Sequence, residues 1–226
     1  HPDDEVPAKP ATCIGCHEAR EDHEKATREY TTSIHGSSHT QGALAAATCA
    51  DCHGKHDIIP VRNPGSPVFK LNLANTCAQC HTNQAMAEKF HIKYPQVAAQ
   101  YQDSIHGRKL AQGLVVAPSC SDCHGTHDIK RATIPNSPIA PENVAKTCGK
   151  CHLGVEQTYE ASVHGQLSAK GHTNAPVCTT CHSAHEIELP KSGHFKATSD
   201  QKCGKCHEDR LVHYRDTYHG KAMALG

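Results

Sequence analysis

The chain has very few of the side chains that fill an ordinary protein core. Tryptophan is absent, phenylalanine occurs three times, and Leu, Ile, Val and Phe together account for 34 of the 226 residues. This share, about 15%, is below the level of roughly 20% under which chains usually fail to fold around an apolar interior. A chain of this length corresponds to one or two domains. A conventional hydrophobic core is therefore excluded, and something other than apolar side chains must fill the interior.

An excess of charge and a long hydrophobic run are also absent. Lys plus Arg and Asp plus Glu both number 23, which argues against a dedicated nucleic-acid binder and against a self-repelling disordered tail. No stretch approaches the 18 or more apolar residues of a transmembrane helix, so we expect no membrane span. The sequence begins at His1 without a basic, apolar leader, which we interpret as the mature form of a secreted protein.

Cysteine and histidine, in contrast, are abundant, and all 14 cysteines fall into seven Cys-x-x-Cys-His motifs. This motif is typical of c-type haem attachment, in which two thiols bond to the haem and the adjacent histidine ligates the iron. The attachment cysteines are Cys13 and Cys16, Cys49 and Cys52, Cys77 and Cys80, Cys120 and Cys123, Cys148 and Cys151, Cys178 and Cys181, and Cys203 and Cys206. The proximal histidines are His17, His53, His81, His124, His152, His182 and His207. The motifs therefore predict seven covalently bound c-type haems.

Other uses of paired cysteines explain the pattern less well. A zinc site has no need for histidine directly after every second cysteine. A thioredoxin-like redox motif would occur once, and a disulfide scaffold would not keep every pair at one spacing. Seven haems would also replace the missing core. We therefore expect a mostly irregular chain with short α-helices wrapped around a closely packed haem stack, with little or no β-sheet. Attachment of this kind takes place on the oxidising side of a membrane, which agrees with secretion.

The sequence repeats a two-haem unit within what we expect to be a single heptahaem domain, residues 1–226. The repeats cover approximately 13–76, 77–147 and 148–202, with a partial copy at 203–226. Each copy contains Tyr-x-x-x-x-His-Gly, and the preceding Ala-, Glu- and Gln-rich segments, such as Glu18 to Ser33 and Gln84 to Ile105, are predicted to be short helices. The glycines of this motif are interpreted as helix stop signals: Gly36, Gly107, Gly165 and Gly220. Pro60 to Pro67 and Pro135 to Pro141 are predicted to be loops, and Pro95 to interrupt the second helical segment.

Histidine is the expected second axial ligand, because the chain contains only two methionines. The repeats select seven candidates. Four come from the Tyr-x-x-x-x-His-Gly motif and three from Cys-His-x-x-His: His35, His106, His164 and His219, and His56, His127 and His185. The unrepeated histidines are interpreted as ordinary surface or core residues: His1, His23, His39, His91, His172, His194 and His213.

Spacing suggests which iron each candidate serves. The interval from the His-Gly motif to the next cysteine is 14 residues in all three complete copies. A constant interval favours a local contact, so the haems of Cys49/Cys52, Cys120/Cys123 and Cys178/Cys181 are assigned to His35, His106 and His164. The following haems, of Cys77/Cys80, Cys148/Cys151 and Cys203/Cys206, are assigned to His56, His127 and His185. The haem of Cys13/Cys16 and His219 remain unmatched.

Two motifs resemble those of a known family. They are Cys-x-Asp-Cys-His-Gly-x-His-Asp-Ile at 49–58 and 120–129 and Ser-Ile-His-Gly at 33–36 and 104–107. Both resemble motifs of the secreted multihaem cytochromes of metal-reducing bacteria and anaerobic archaea, especially the extracellular cytochromes that polymerise into conductive filaments, or nanowires. In some of those filaments a histidine of one subunit ligates a haem of the next. The resemblance implies electron transport by bis-histidine haems.

These observations leave several functions open. The first is a non-enzymatic electron carrier that polymerises head to tail, with His219 ligating the first haem of the next subunit, outside the cell. Alternatives are a monomeric periplasmic shuttle, in which His219 of the same chain, His23 or His39 ligates the first haem, and a multihaem reductase or oxidase with one open haem. Expected partners are a second copy of the chain and redox donor and acceptor proteins or extracellular metal acceptors, with no nucleic acid.

Overall fold

A computed structural model describes residues 10–43, 45–90, 92 and 96–225, and within them helix is the only regular secondary structure. Helix accounts for 58% of the structure, and the described residues contain no strand. The expectation of short helices with little or no β-sheet is confirmed. The expectation of a mostly irregular chain is wrong, because five of the seven Cys-x-x-Cys-His motifs are wholly helical and the other two begin within a helix. The helices of the described residues are α1 Pro10–His17, α2 Glu21–Thr32, α3 Ile34–Thr40, α4 Cys49–His53, α5 Leu73–His81, α6 Gln84–Phe90, α7 Val97–Asp103, α8 Ile105–Ala111, α9 Cys120–His124, α10 Pro141–Gly149, α11 Leu153–Ala161, α12 Val163–Ala169, α13 Cys178–His182, α14 Gly193–Gly204, α15 Glu208–Asp216 and α16 Tyr218–Ala224. Pro95 lies outside the described residues.

A helix–corner–helix element recurs four times, and a hydroxyl residue forms each corner. Ser104 ends α7 and begins α8 in extended backbone geometry. Its Oγ accepts a hydrogen bond from the Gly107 N–H at 3.0 Å and donates one to the Tyr101 carbonyl at 2.6 Å. Serine is a favoured N-cap because its oxygen satisfies an otherwise unpaired N–H in the first helical turn. The same contacts recur at the other three corners: Ser33, Ser162 and Thr217.

The glycine of each Tyr-x-x-x-x-His-Gly motif lies inside the second helix of this element. A Cβ at Gly107 would overlap the carbonyl oxygen of Tyr101 and lie 2.9 Å from Gln102 Cα. The prediction that these glycines stop a helix is therefore wrong. Glycine is required because α8 packs directly on the last turn of α7, and the helix before the histidine ends at the serine.

A tyrosine holds the loop that follows each complete corner. The Tyr101 hydroxyl donates to the Pro118 carbonyl at 2.8 Å, two residues before Cys120. Tyr30 and Tyr159 make the same bond to Ala47 and Pro176, at 3.0 and 3.1 Å. Because each bond joins the corner to the same position before the next cysteine, the loop between the histidine and that cysteine has the same number of residues in all three repeats.

The predicted proline-rich loops are non-helical and carry repeated hydrogen bonds. Asn143 Nδ2 donates to the carbonyls of Pro135 and Ser137 at 2.7 and 2.8 Å, and Thr147 Oγ1 donates to Pro138 at 2.7 Å. The first loop has the equivalent bonds from Asn72 and Thr76. These bonds anchor each loop to the helix that carries the next cysteine motif.

Consecutive repeats are joined by single backbone hydrogen bonds. The Ile34 N–H donates to the Ile129 carbonyl and the Ile105 N–H donates to the Ile187 carbonyl, both at 2.8 Å. The donor follows the corner serine, and the acceptor ends the Cys-His-x-x-His-Asp/Glu-Ile segment of the next repeat. Each repeat is therefore set in the same register on its predecessor.

The polypeptide alone does not enclose an apolar core. The buried apolar residues of the described chain are four alanines with Leu110 and Val144, and the most deeply buried side chains are serines. Its accessible surface is 15507 Å². A compact protein of 24.4 kDa exposes about 10,000 Å². The described helices include none that is long and apolar enough to cross a bilayer.

Candidate metal centres

The seven Cys-x-x-Cys-His motifs follow one another through alternating contacts between their cysteines. First cysteines meet in the pairs Cys13 with Cys49, Cys77 with Cys120, and Cys148 with Cys178, each within hydrogen-bonding reach. Second cysteines lie close to the following motif in the other three steps: Cys52 to Cys77 and Cys80, Cys123 to Cys151, and Cys181 to Cys203 and Cys206. The motifs thus form one continuous row in chain order.

The thiols of this row are free, and their pKa values are shifted in both directions: hydrogen bonds with Cys77 and Cys148 lower the pKa of Cys120 and Cys178, whereas burial raises the pKa of others. None of the 14 cysteines forms a disulfide. Burial raises the pKa of Cys49 and Cys52 to about 11. The hydrogen bond to Cys120 raises the pKa of Cys77, and burial adds to the shift. Side by side without a disulfide, the two thiols of each motif remain available for other covalent bonds.

Five proximal histidines each face a second imidazole from a different segment. The ring centroids are 6.0 to 6.2 Å apart in the pairs His35–His81, His53–His127, His106–His152, His124–His185 and His164–His207. Each pair joins the last residue of a Cys-x-x-Cys-His motif to a repeated histidine. Every one of these ten histidines belongs to the predicted ligand set.

The separation matches two imidazoles on opposite sides of one metal. About 1.1 Å from each ring centre to its nitrogen and about 2.0 Å for each metal–nitrogen bond give a centroid separation of about 6.2 Å. A direct hydrogen bond between the rings would bring them closer. Within the described residues no three His, Cys, Asp or Glu side chains converge on a single point as they would around a bare metal ion. The residues therefore fit a planar group that carries its own metal and takes one imidazole on each face.

The pairing corrects the assignment made from spacing. His35, His106 and His164 were assigned to the motif 14 residues ahead, but each faces the motif after that one. His127 and His185 were assigned to the following motif, but they face His53 and His124 of the preceding repeat. The constant interval instead reflects the tyrosine tether, which fixes the loop length without bringing the two histidines together.

Burial lowers the pKa of several of these imidazoles and so favours their neutral form, which is the form that binds a metal. The pKa of His124 is lowered to about 4, first by burial and then by the neighbouring His185 and His81. Burial is also the first cause of a lowered pKa at six other histidines of the row: His35, His53, His81, His106, His182 and His185.

Two proximal histidines have no second imidazole at the 6.0 to 6.2 Å separation of the other five among the described residues, and the His17 ring instead stacks on His23 with centroids 4.6 Å apart. His17 Nδ1 lies 2.6 Å from His23 Nδ1, a direct hydrogen bond that leaves no space for a metal between these atoms. Such a bond on Nδ1 fixes the tautomer of a ligating histidine and leaves Nε2 available. The His182 ring lies 5.0 Å from the Phe195 ring, which has no ligand atom. His23 is an alternative ligand for the first haem in the sequence analysis, whereas Phe195 belongs to no predicted site.

Two predicted distal ligands are correspondingly without a partner motif. His56 and His219 are exposed, and neither faces a proximal histidine of the described chain. Of the unrepeated histidines, His194 contacts the Glu188 carboxylate at 2.9 Å, whereas His1 and His91 lie outside the described residues. His56 and His219 belong to the first repeat and to the partial fourth repeat, at opposite ends of the row.

Comparisons with known proteins identify no relative. No protein-family model, curated protein or solved structure matches the chain. The assignment of the site therefore depends on its own residues and geometry.

Proposed function

We propose that the protein is a seven-haem c-type cytochrome that carries electrons along a row of haems. The proposal is carried by the five histidine pairs with ring centroids 6.0 to 6.2 Å apart. In each pair, one histidine directly follows the two cysteines of a Cys-x-x-Cys-His motif, which could bond to the same group. Seven haems would also account for the missing apolar core and for the large surface of the polypeptide. The group supplies an iron that gains and loses one electron.

The chain's own residues would hold and orient each group. The two cysteines of a motif would form thioether bonds, the adjacent histidine would bind one axial position, and a histidine of another repeat would bind the other. The corner serine, glycine and tyrosine set the position of that second histidine. Since neighbouring motifs lie close to one another through their cysteines, adjacent groups would be held close together along the whole row.

Transfer is favoured over catalysis because five of the seven irons would have both axial positions filled by protein. An iron with two histidine ligands has no position for a substrate, and bis-histidine ligation gives a lower potential than His/Met ligation. A second candidate, a reductase or oxidase, is favoured only by His17 and His182, which lack a second imidazole about 6 Å away among the described residues. A strong high-spin ferric signal in electron paramagnetic resonance (EPR) would favour this candidate, while low-spin signals alone would favour transfer.

Mass spectrometry and ligand replacement test the central proposal. The denatured chain should carry the mass of seven haems. His127→Ala should convert one haem in seven from low-spin bis-histidine to another state, because His127 faces His53. His172→Ala, at an exposed and unrepeated histidine, is the matched control and should leave every haem unchanged. A mass without haem, or equal spectra for the two variants, would rule the proposal out.

We further propose head-to-tail assembly into an extracellular filament, in which His219 ligates the haem at Cys13/Cys16 of the next copy. Support comes from His17, whose Nδ1 is engaged by His23, and from His219, which has the corner contacts of a ligand histidine but faces no motif. His219→Ala should abolish polymers in electron micrographs, while His213→Ala should retain them. Wild-type protein that stays monomeric at high concentration with all haems bis-histidine would contradict the assembly and favour the periplasmic shuttle.

A further inference from the structure

The second and third Cys-His-x-x-His segments make the same three contacts with the repeat before them and with their own corner. The second histidine faces the proximal histidine of the preceding segment, as His127 faces His53. The carbonyl that ends the segment accepts from the residue after the previous corner serine, as Ile129 accepts from Ile34. The carbonyl two residues before the first cysteine accepts from the corner tyrosine.

Beyond the third segment, the acceptors of all three contacts are missing from the described chain. His182 has no facing imidazole. Val163, which occupies the position of Ile34 and Ile105, is 71% exposed, and its N–H has no backbone acceptor. The Tyr214 hydroxyl donates to Met223 Sδ at 3.2 Å, where its counterparts donate to a carbonyl. Thioether sulfur is a weak acceptor, so a carbonyl would replace it favourably.

We propose that the face formed by His182, the Val163 N–H and the Tyr214 hydroxyl docks an additional Cys-x-x-Cys-His-x-x-His segment from outside residues 1–226. Its second histidine would ligate the group at Cys178/Cys181, opposite His182. Its final carbonyl would accept from Val163. This inference rests on the proposed haem function, and the docked segment would be an eighth motif in the row.

A second copy of this chain cannot supply the segment through its own residues 49–58. In that segment Cys49 lies against Cys13 of its own first motif. If residues 49–58 of the second copy docked in the register of the repeats, the first motif of that copy would lie directly before them in the row. The Cys203–His207 motif already occupies this position, since it follows the third segment and faces His164. An additional segment removes the conflict. It also places the next copy's first motif at the position that His219 would serve.

A peptide probe tests the docking on the intact haem protein. The peptide has the sequence of residues 47–60 with Cys49→Ser, Cys52→Ser and His53→Ala, so that His56 is its one imidazole. We expect it to bind and to make one further haem in seven low-spin. The control peptide keeps His53 and carries His56→Ala, and free imidazole at the same concentration controls for simple ligation. Neither control should reproduce the effect.

A protein variant probes the backbone contact separately. Val163→Pro removes the N–H, and proline is tolerated here because Val163 is the first residue of α12 and Ser162 before it is extended. Loss of this one hydrogen bond should weaken peptide binding about five-fold. Val163→Ala, which keeps the N–H at this exposed position, is the matched control and should leave peptide binding unchanged.

Several results would overturn the docking proposal. These are equal binding of both peptides, unchanged affinity in Val163→Pro, and a His182 haem that is already bis-histidine and loses its ligand in His194→Ala. The proposal would also be overturned if the His182 haem is bis-histidine in a polymer of the wild-type protein but loses its second histidine in a polymer of the His56→Ala protein. That result would identify His56 of a second copy as the ligand. A protein with seven haems that fails these tests would disprove the docking alone, whereas a protein without haem would disprove the function itself.

Discussion

Replacing Gly107 with alanine tests whether the corner element positions a ligand. A Cβ at this position would overlap the Tyr101 carbonyl oxygen and meet Gln102 Cα at 2.9 Å. Both obstacles are backbone, so no side chain can rotate away and α7 and α8 must separate by about 1 Å. Alanine would favour an isolated helix by about 1 kcal/mol, but overpacking costs about 1 to 3 kcal/mol. We expect a net loss of up to about 2 kcal/mol in the free energy of unfolding.

The same shift would reach the metal site. His106 directly precedes Gly107 and faces His152 at 6.1 Å. Metal–ligand distances tolerate about 0.2 Å, so a displacement of about 1 Å would release the ligand or strain its bond. One haem in seven should therefore leave the low-spin bis-histidine state in EPR, alongside the loss of stability in guanidinium unfolding followed by circular dichroism.

Gly154→Ala is the matched control for this prediction. Gly154 lies in α11, and a Cβ there would meet nothing within 4 Å. This variant should gain about 0.5 to 1 kcal/mol, as alanine does in place of glycine in a helix. If Gly107→Ala is as stable as Gly154→Ala and keeps all its low-spin signals, the corner does not position His106.

Three further predictions concern stability, each measured by guanidinium unfolding. Ser183 has φ 61° at a position where the first two repeats have glycine, and its Oγ is buried without a hydrogen-bond partner. Ser183→Gly should therefore stabilise the fold by about 1 to 2 kcal/mol. An unchanged unfolding midpoint would contradict this prediction. Tyr101→Phe should lose about 1 kcal/mol with its 2.8 Å hydrogen bond, whereas Tyr218→Phe, at a residue 82% exposed, should lose nothing; equal losses would contradict the tether. For Asp122, burial raises the pKa, but hydrogen bonds from backbone and side-chain donors, including Lys70, outweigh it and lower the pKa below that of the unfolded chain. Its stabilisation should therefore be present above about pH 4 and lost as the pH falls further, and Asp122→Asn should weaken this dependence; identical pH profiles would refute it.

Much of the candidate site was predictable from repetition along the chain. The motif Cys-x-x-Cys-His is complete within five consecutive residues, so it can be identified from the sequence without knowledge of contacts to distant residues. The members of all five imidazole pairs were identified because a ligand that recurs in register with a motif is difficult to explain otherwise. The absence of strands from the described residues agrees with the sequence, in which no alternating apolar pattern indicates a strand.

What the tertiary structure decided is which histidine faces which. His53 and His127 belong to different repeats, and the contact depends on how one repeat packs on the next through the Ile34 to Ile129 hydrogen bond. No spacing within one repeat contains that information. The 14-residue interval was misleading because a constant spacing records any local constraint, and here the constraint is the tyrosine tether. Local chemistry is therefore readable from the sequence, whereas the pairing of ligands arises from packing between segments far apart in the chain.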